Sequence, residues 1–231
     1  MGAREGISKI RTARLEAFSD GVFAIAITLL VLDLAIPASA YSAHHLLDSF
    51  DRQWPAYLGY FVSFSTIGAI WLGHSAITDY LDRADSTLLR LNLVLLLLVT
   101  FLPFPTRLLS TYIHDANAES VAVAIYGINL LLASLMLSVL WRYSLRAGLV
   151  RADAEDDETT LLTQRLTPGL AAYVGLIVLG HFRPVAAVIG YLVIALFFLI
   201  PVRVSMPGGR RHGGAAPSGA TGRLRRRSSQ P

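Results

Sequence analysis

Five long apolar stretches, at 17–36, 55–77, 88–110, 120–143 and 184–202, decide what this 231-residue chain can fold into. A helix of roughly 20 apolar residues crosses the ~30 Å hydrocarbon core of a bilayer. A sixth stretch, 168–182, is shorter but free of charge, and the Arg183-Pro184 that follows reads as a tight turn whose proline opens the next helix. No stretch alternates with the period of two that a membrane strand requires. In lipid the backbone must satisfy its own hydrogen bonds, so each block is predicted to be a helix. The expected fold is an all-α integral membrane protein with six transmembrane helices per subunit. Composition agrees: 54% of residues are hydrophobic and 16% charged, against about 25% charged in soluble domains. Packed into a water-soluble protein, such blocks would expose large apolar faces.

The basic residues orient the spans. With both termini cytoplasmic, only Arg52, Arg107 and Arg183 of the 20 Lys and Arg fall outside, and the other 17 fall inside. That asymmetry is the positive-inside pattern. The net charge of +4 therefore reflects topology, and no nucleic-acid partner is expected. A basic N-terminus, an apolar run and Ala38-Ser39-Ala40 together resemble a signal peptide. Glu16, Asp20 and Asp33 are poor company for a signal core, so the first span is expected to be retained.

Residues 1–205 read as one channel-sized membrane domain and 206–231 as a disordered, basic cytoplasmic tail rich in Gly, Ser, Pro and Arg. The Arg225-Arg226-Arg227 cluster could touch anionic headgroups or simply set topology. The acidic run 153–158 reads as a solvated connection, because it lacks the spacing and glycine of a calcium loop.

Enzyme chemistry has no foothold. There is no nucleophile elbow, no His-Glu-x-x-His and no phosphate-binding glycine loop. Cysteine is absent, which excludes thiolate sites, and His44-His45 lacks spaced carboxylate partners. No cofactor and no resident metal are expected. The carbonyl filter of ordinary potassium channels is also missing.

Ionisable residues within lipid are costly and mark function. Here they are Asp20 and Asp33 in the first helix, His74 in the second and Arg107 near the outer end of the third. On a helical wheel of about 100° per residue, Ile25, Leu29, Leu32 and Ile36 form one stripe bordered by Thr28. Asp20 lies on nearly the opposite side, with Ala24, Ile27 and Val31. Such a stripe most often faces lipid or a neighbouring helix; repeated around an axis it would form a hydrophobic gate. Asp20 is expected either to cap its helix or to bond Trp71 or His74, which project from one face of the second helix. Asp33 is either a snorkelling carboxylate or part of an acidic mouth that concentrates cations.

Arg14-x-x-x-Phe18-Ser19-Asp20, opening the first span, resembles the signature of the transmembrane protein 175 family of potassium channels. Trp71-Leu72-Gly73-His74 looks like that family's Trp-x-x-His. Asn92 with Leu102-Pro103-Phe104-Pro105-Thr106 is similar to its third helix. The likeness spans roughly the first 110 residues. It implies six spans per bacterial subunit and a homotetramer in the cell membrane whose first helices line a potassium-selective pore. It further implies a constriction at Ile25 with apolar layers at Leu29 and Leu32, and a threonine layer at Thr28. Arg14, Phe18, Ser19, Asp20, Trp71, His74 and Asn92 would form the network that holds the pore helix. Transient potassium and the bilayer are then the expected partners. Two other readings stay open: proton-conducting or proton-coupled transport using Asp20 and His74, and a membrane scaffold that passes no ions.

Overall fold

The computed structural model describes residues 2–34, 53–113, 115, 118–152, 159–160, 162–164 and 168–200. These fall within one compact unit, Met1–Pro201. His44-His45, the acidic run 153–158 and the tail 206–231 lie outside the described residues.

The described residues form seven α-helices: α1 (Gly2–Leu29), α2 (Trp54–Asp79), α3 (Ser86–Phe101), α4 (Pro103–Tyr112), α5 (Glu119–Arg146), α6 (Pro168–Phe182) and α7 (Pro184–Leu199). A 3-10 turn, Leu30–Asp33, extends α1. Among the described residues, the stretches Thr12–Asp33, Trp54–Asp79, Ser86–Tyr112, Glu119–Arg146 and Leu162–Phe182 are long and apolar enough to cross a bilayer. The 16-residue α7 is a shorter apolar helix; at 1.5 Å per residue it reaches roughly 24 Å.

Proline sets three of the boundaries. Pro55, Pro103 and Pro184 each stand in the first turn of a helix, where a missing N–H costs nothing. The third span is consequently two helices, α3 and α4, divided at Leu102. There the Leu102 N–H turns back to the Val99 carbonyl, a shortened i→i−3 bond ahead of Pro103.

Helices α2 and α5 form the centre. The first packs against α1, α4, α5 and α7, and the second against α3, α4, α6 and α7. Polar side chains stitch the centre where lipid offers no alternative partner. Ser63 of α2 lies 2.6 Å from the Thr106 hydroxyl of α4 and 3.0 Å from the Tyr126 hydroxyl of α5. Asn129 of α5 donates to the Leu98 carbonyl of α3 at 3.2 Å. Interhelical bonds of this kind are worth about 0.6–2 kcal/mol each in a membrane.

Gly127 lets α5 and α7 approach closely. A methyl group there would run into the Tyr191 hydroxyl and come within 2.7 Å of Ile177 Cγ1. Tyr191 Oη is buried and has no hydrogen-bond partner among the described residues. Gly127→Ala is expected to cost about 2–3 kcal/mol through overpacking. Tyr191→Phe removes an unsatisfied polar atom, so it should be neutral or stabilising by up to about 1 kcal/mol, and it should recover part of the Gly127→Ala loss. Thermal unfolding in detergent reads all three variants; a strongly destabilising Tyr191→Phe would show that its hydroxyl is satisfied.

One end of the bundle is zipped by its connections. Residues Leu81 and Val150 form an isolated antiparallel bridge. Around it the Asp82 N–H donates to the Leu149 carbonyl, and the Arg151 N–H to the Tyr80 carbonyl, both at 2.9 Å. Gly148, at φ +61°, takes the left-handed conformation that ends α5. Asp85 caps α3 by accepting from the Leu88 N–H at 2.7 Å and also accepts from the Tyr143 hydroxyl of α5 at 2.6 Å. Burial pushes the Asp85 carboxyl up. The bonds from Tyr143 and from the Leu88 and Thr87 N–H groups outweigh that and hold it below its ordinary value. A carboxyl lowered by folding stabilises the fold above its unfolded value, near ~3.9, and loses that contribution as pH falls through the folded value. Asp85→Ala is expected to cost about 1 kcal/mol at neutral pH. The gap to wild type should narrow in melts below that pH.

Candidate functional site

The first helix carries two faces of different chemistry. Leu15, Ser19, Phe23, Ala26 and Leu30 are buried against the rest of the chain, at spacings of four, four, three and four. That is the period of one helical face, and α1 lays it on α2 and α3. Ile25 is 58% exposed, Leu29 42% and Leu32 68%. Thr28 is exposed with them. Its hydroxyl donates to the Ile25 carbonyl at 2.9 Å, which satisfies its hydrogen without another helix.

The buried face is pinned by a directional chain of hydrogen bonds. Ser19 Oγ donates to the Leu15 carbonyl at 2.8 Å and accepts from Asn92 Nδ2 at 2.9 Å. Asn92 Oδ1 lies 2.9 Å from His74 Nε2. Because Asn92 spends its amide on Ser19, its oxygen must accept, and His74 Nε2 carries the hydrogen. The chain thus runs from α2 through α3 to α1 with every donor pointing towards α1. Ser19, His74 and Asn92 are all at most 1% exposed. His74 Nδ1 is left without a partner among the described residues, while its ring sits 5.6 Å from that of Phe23.

A second link lies nearer the surface, where Trp71 Nε1 donates to Asp20 Oδ1 at 2.8 Å. Of the two partners the wheel offered Asp20, then, the indole takes the bond and the imidazole goes to Asn92. The structure joins Ser19, Asp20, Trp71, His74 and Asn92, but not all seven residues of the implied network. Phe18 is 56% exposed, and Arg14 is exposed beside it. Both instead line an open groove between α1 and α3, with Leu89 and Leu93 opposite.

Asp33 closes the 3-10 turn and is half-buried. The turn packs against α2 and α4, the helix that carries Arg107. Sequence reasoning did not bring this turn and that helix together. It also passed over the Ser63–Thr106–Tyr126 cluster and the Asp85–Tyr143 cap, because nothing in a single sequence pairs residues dozens of positions apart. Among the described residues, no group of three or more His, Cys, Asp or Glu is arranged to hold a metal.

Comparison with known proteins bears on this geometry. Residues 14–103 match the family described as endosomal/lysosomal potassium channel TMEM175. A potassium channel of Streptomyces collinus is 42% identical over 59% of this chain and 66% of its own length. A potassium channel of Chamaesiphon minutus is 38% identical over 72% of this chain and 83% of its own. The endosomal/lysosomal proton channel TMEM175 of Gallus gallus is 33% identical over 57% of this chain, though over only 28% of its own length. Among solved structures, the lysosomal potassium-selective channel TMEM175 homologue from Chamaesiphon minutus aligns with a TM-score of 0.73. Its identity is 34%, covering 81% of this chain and 96% of that one.

Proposed function

The chain belongs to the TMEM175 family of ion channels, and from that premise we propose that it is a potassium-selective channel of the cell membrane whose α1 helices surround the pathway. The observation that carries the reading is the division of α1: a polar-pinned buried face, and an apolar face at Ile25, Leu29 and Leu32 that its own chain leaves uncovered. Four copies around an axis, with both termini cytoplasmic, would turn that face inward.

Rings of Ile25 then form the neck, with Leu29 and Leu32 as further apolar layers. Such a constriction holds water poorly, so a cation must shed part of its hydration to pass. Potassium is larger than sodium and holds its shell less tightly, so it crosses at lower cost. Thr28 offsets part of that cost. With its hydrogen committed to the Ile25 carbonyl, the hydroxyl presents oxygen lone pairs to a passing cation. Asp33 stands at the outer mouth. The signature network acts at one remove, fixing the rotation and depth of α1 so that the stripe, and not Asp20, meets the ion.

The test is potassium flux into liposomes holding the purified protein, with sodium as control. Potassium flux well above sodium flux is expected; a protein that passes neither these ions nor protons would be a scaffold.

Proton conduction through Asp20 and His74 is a second reading, favoured by the name of the Gallus gallus relative. It requires a steep change in flux between about pH 5 and 8 that disappears in His74→Ala. The two side chains bond to different partners, so no direct Asp20–His74 hydrogen bond supports it.

A further inference from the structure

The tight hairpin of α6 and α7 carries a groove that conduction does not use. Arg183 is the single residue between the two helices. With Glu119, Phe182, Val185 and Ile189 it lines an open groove of about 510 Å³. Glu119 stands half-buried in the first turn of α5, and Arg183 is exposed. Among the described residues no hydrogen bond or ion pair engages either side chain. Arg183 is also one of the three basic residues that the positive-inside orientation leaves outside, so topology does not account for its charge.

Below the charges the surface is apolar and continuous. Val185, Ile189, Val193 and Leu196 are all exposed, at spacings of four, four and three along one face of α7. At 1.5 Å per residue the row runs roughly 16 Å. That is close to the depth of one leaflet, half of the ~30 Å hydrocarbon core.

We propose that this groove binds one phospholipid of the outer leaflet, and that its headgroup is ethanolamine. The phosphate oxygens accept from the Arg183 guanidinium, the primary ammonium donates to the Glu119 carboxylate, and one acyl chain follows the row on α7. The two charges select the headgroup. Choline has no N–H to donate and is recognised by a cage of aromatic faces, of which the groove has Phe182 alone. A glycerol headgroup brings the phosphate's charge but no cation for Glu119. The site stands on the membrane fold and does not depend on α1 lining the pathway, because α6 and α7 pack on α2, α5 and each other while α1 packs on α2 and α3.

Thermal unfolding of the purified full chain in detergent tests the site, with phosphatidylethanolamine, phosphatidylcholine or phosphatidylglycerol of identical acyl chains added in turn. A lipid that binds only the folded state raises the melting temperature. The ethanolamine lipid should act at about tenfold lower concentration than either of the others, the difference one charge-assisted contact makes. Arg183→Gln should raise the concentration it needs by about tenfold. Glu119→Gln keeps the phosphate contact and should bring the ethanolamine and choline lipids level. Equal response of wild type to all three lipids overturns the proposal, and so does an unchanged ethanolamine preference in either variant. Should a variant fail to fold, native mass spectrometry of wild type gives a second reading: one ethanolamine lipid retained per subunit supports the site, and preferential retention of the glycerol lipid overturns it. Melts indifferent to lipid, with an oligomeric state that changes in Arg183→Gln, would assign the groove to a second copy of the chain and overturn it too.

Discussion

Replacing Ile25 by Asn should raise conductance several-fold and bring the potassium-over-sodium preference close to one. Ile25 is 58% exposed within its own chain, so the substitution opens no cavity in the subunit core. On the proposed pathway, what changes is the neck. An isoleucine ring offers water no hydrogen bonds and favours a dry gap, whereas an asparagine ring offers amide donors and carbonyl acceptors that keep it wet. Cations then cross with their shells largely intact, and the cost that separated potassium from sodium disappears. The difference at stake is small: about 1.4 kcal/mol sustains a tenfold preference, so relief of even partial dehydration removes it. Reversal potentials under potassium and sodium gradients measure the effect. An unchanged preference would place the selective step elsewhere.

Asn92→Leu should be the most damaging substitution for stability, at about 3–4 kcal/mol. Asn92 is 1% exposed and is the only residue in the chain of hydrogen bonds that both accepts from α2 and donates to α1. Leucine conserves bulk but leaves His74 Nε2–H without an acceptor and Ser19 Oγ without a donor. Each buried group so orphaned costs about 1–3 kcal/mol, in a bilayer that supplies no water to replace the partner. Ser19→Ala should cost less, and the double variant less than the sum, because both remove the same link. Asp20→Asn makes the contrast. Its oxygen still accepts from Trp71 Nε1 at a partly exposed position, so a change below about 1 kcal/mol is expected. Detergent thermal melts rank the variants, and Asn92→Leu melting like wild type would remove the anchoring role.

How much of this was legible beforehand follows from the range of each interaction. Helix as the element was legible because a backbone in lipid has almost no alternative. The two faces of α1 were legible because one helical period orders Ile25, Thr28, Leu29 and Leu32 on one side with no knowledge of neighbours. Partner choice was not. His74 bonds Asn92 of α3 instead of Asp20, and which helix packs beside it is a tertiary fact that no spacing encodes. The break at Leu102 was foreshadowed by Pro103 and Pro105, yet the predominantly apolar character of 88–110 hid it. Arg14 and Phe18 belong to the same short motif as Ser19 and Asp20, but a helix turns 100° per residue, so they emerge on the groove side. The packing of the Asp33 turn on α4, the helix that carries Arg107, joins segments far apart in sequence and was not legible either.

The conducting role of the stripe can be tested on a chain that is already free of cysteine. Single cysteines at Thr28, Leu32 and Val31 in bilayers, challenged with a small thiol-reactive cation, separate a conducting face from a merely exposed one. All three positions are exposed in the isolated subunit. Block at Thr28→Cys and Leu32→Cys, slowed by high potassium, with Val31→Cys unaffected, is the expected result. Block at Val31→Cys alone would contradict it, and would move the ion pathway off the face that begins at Ile25.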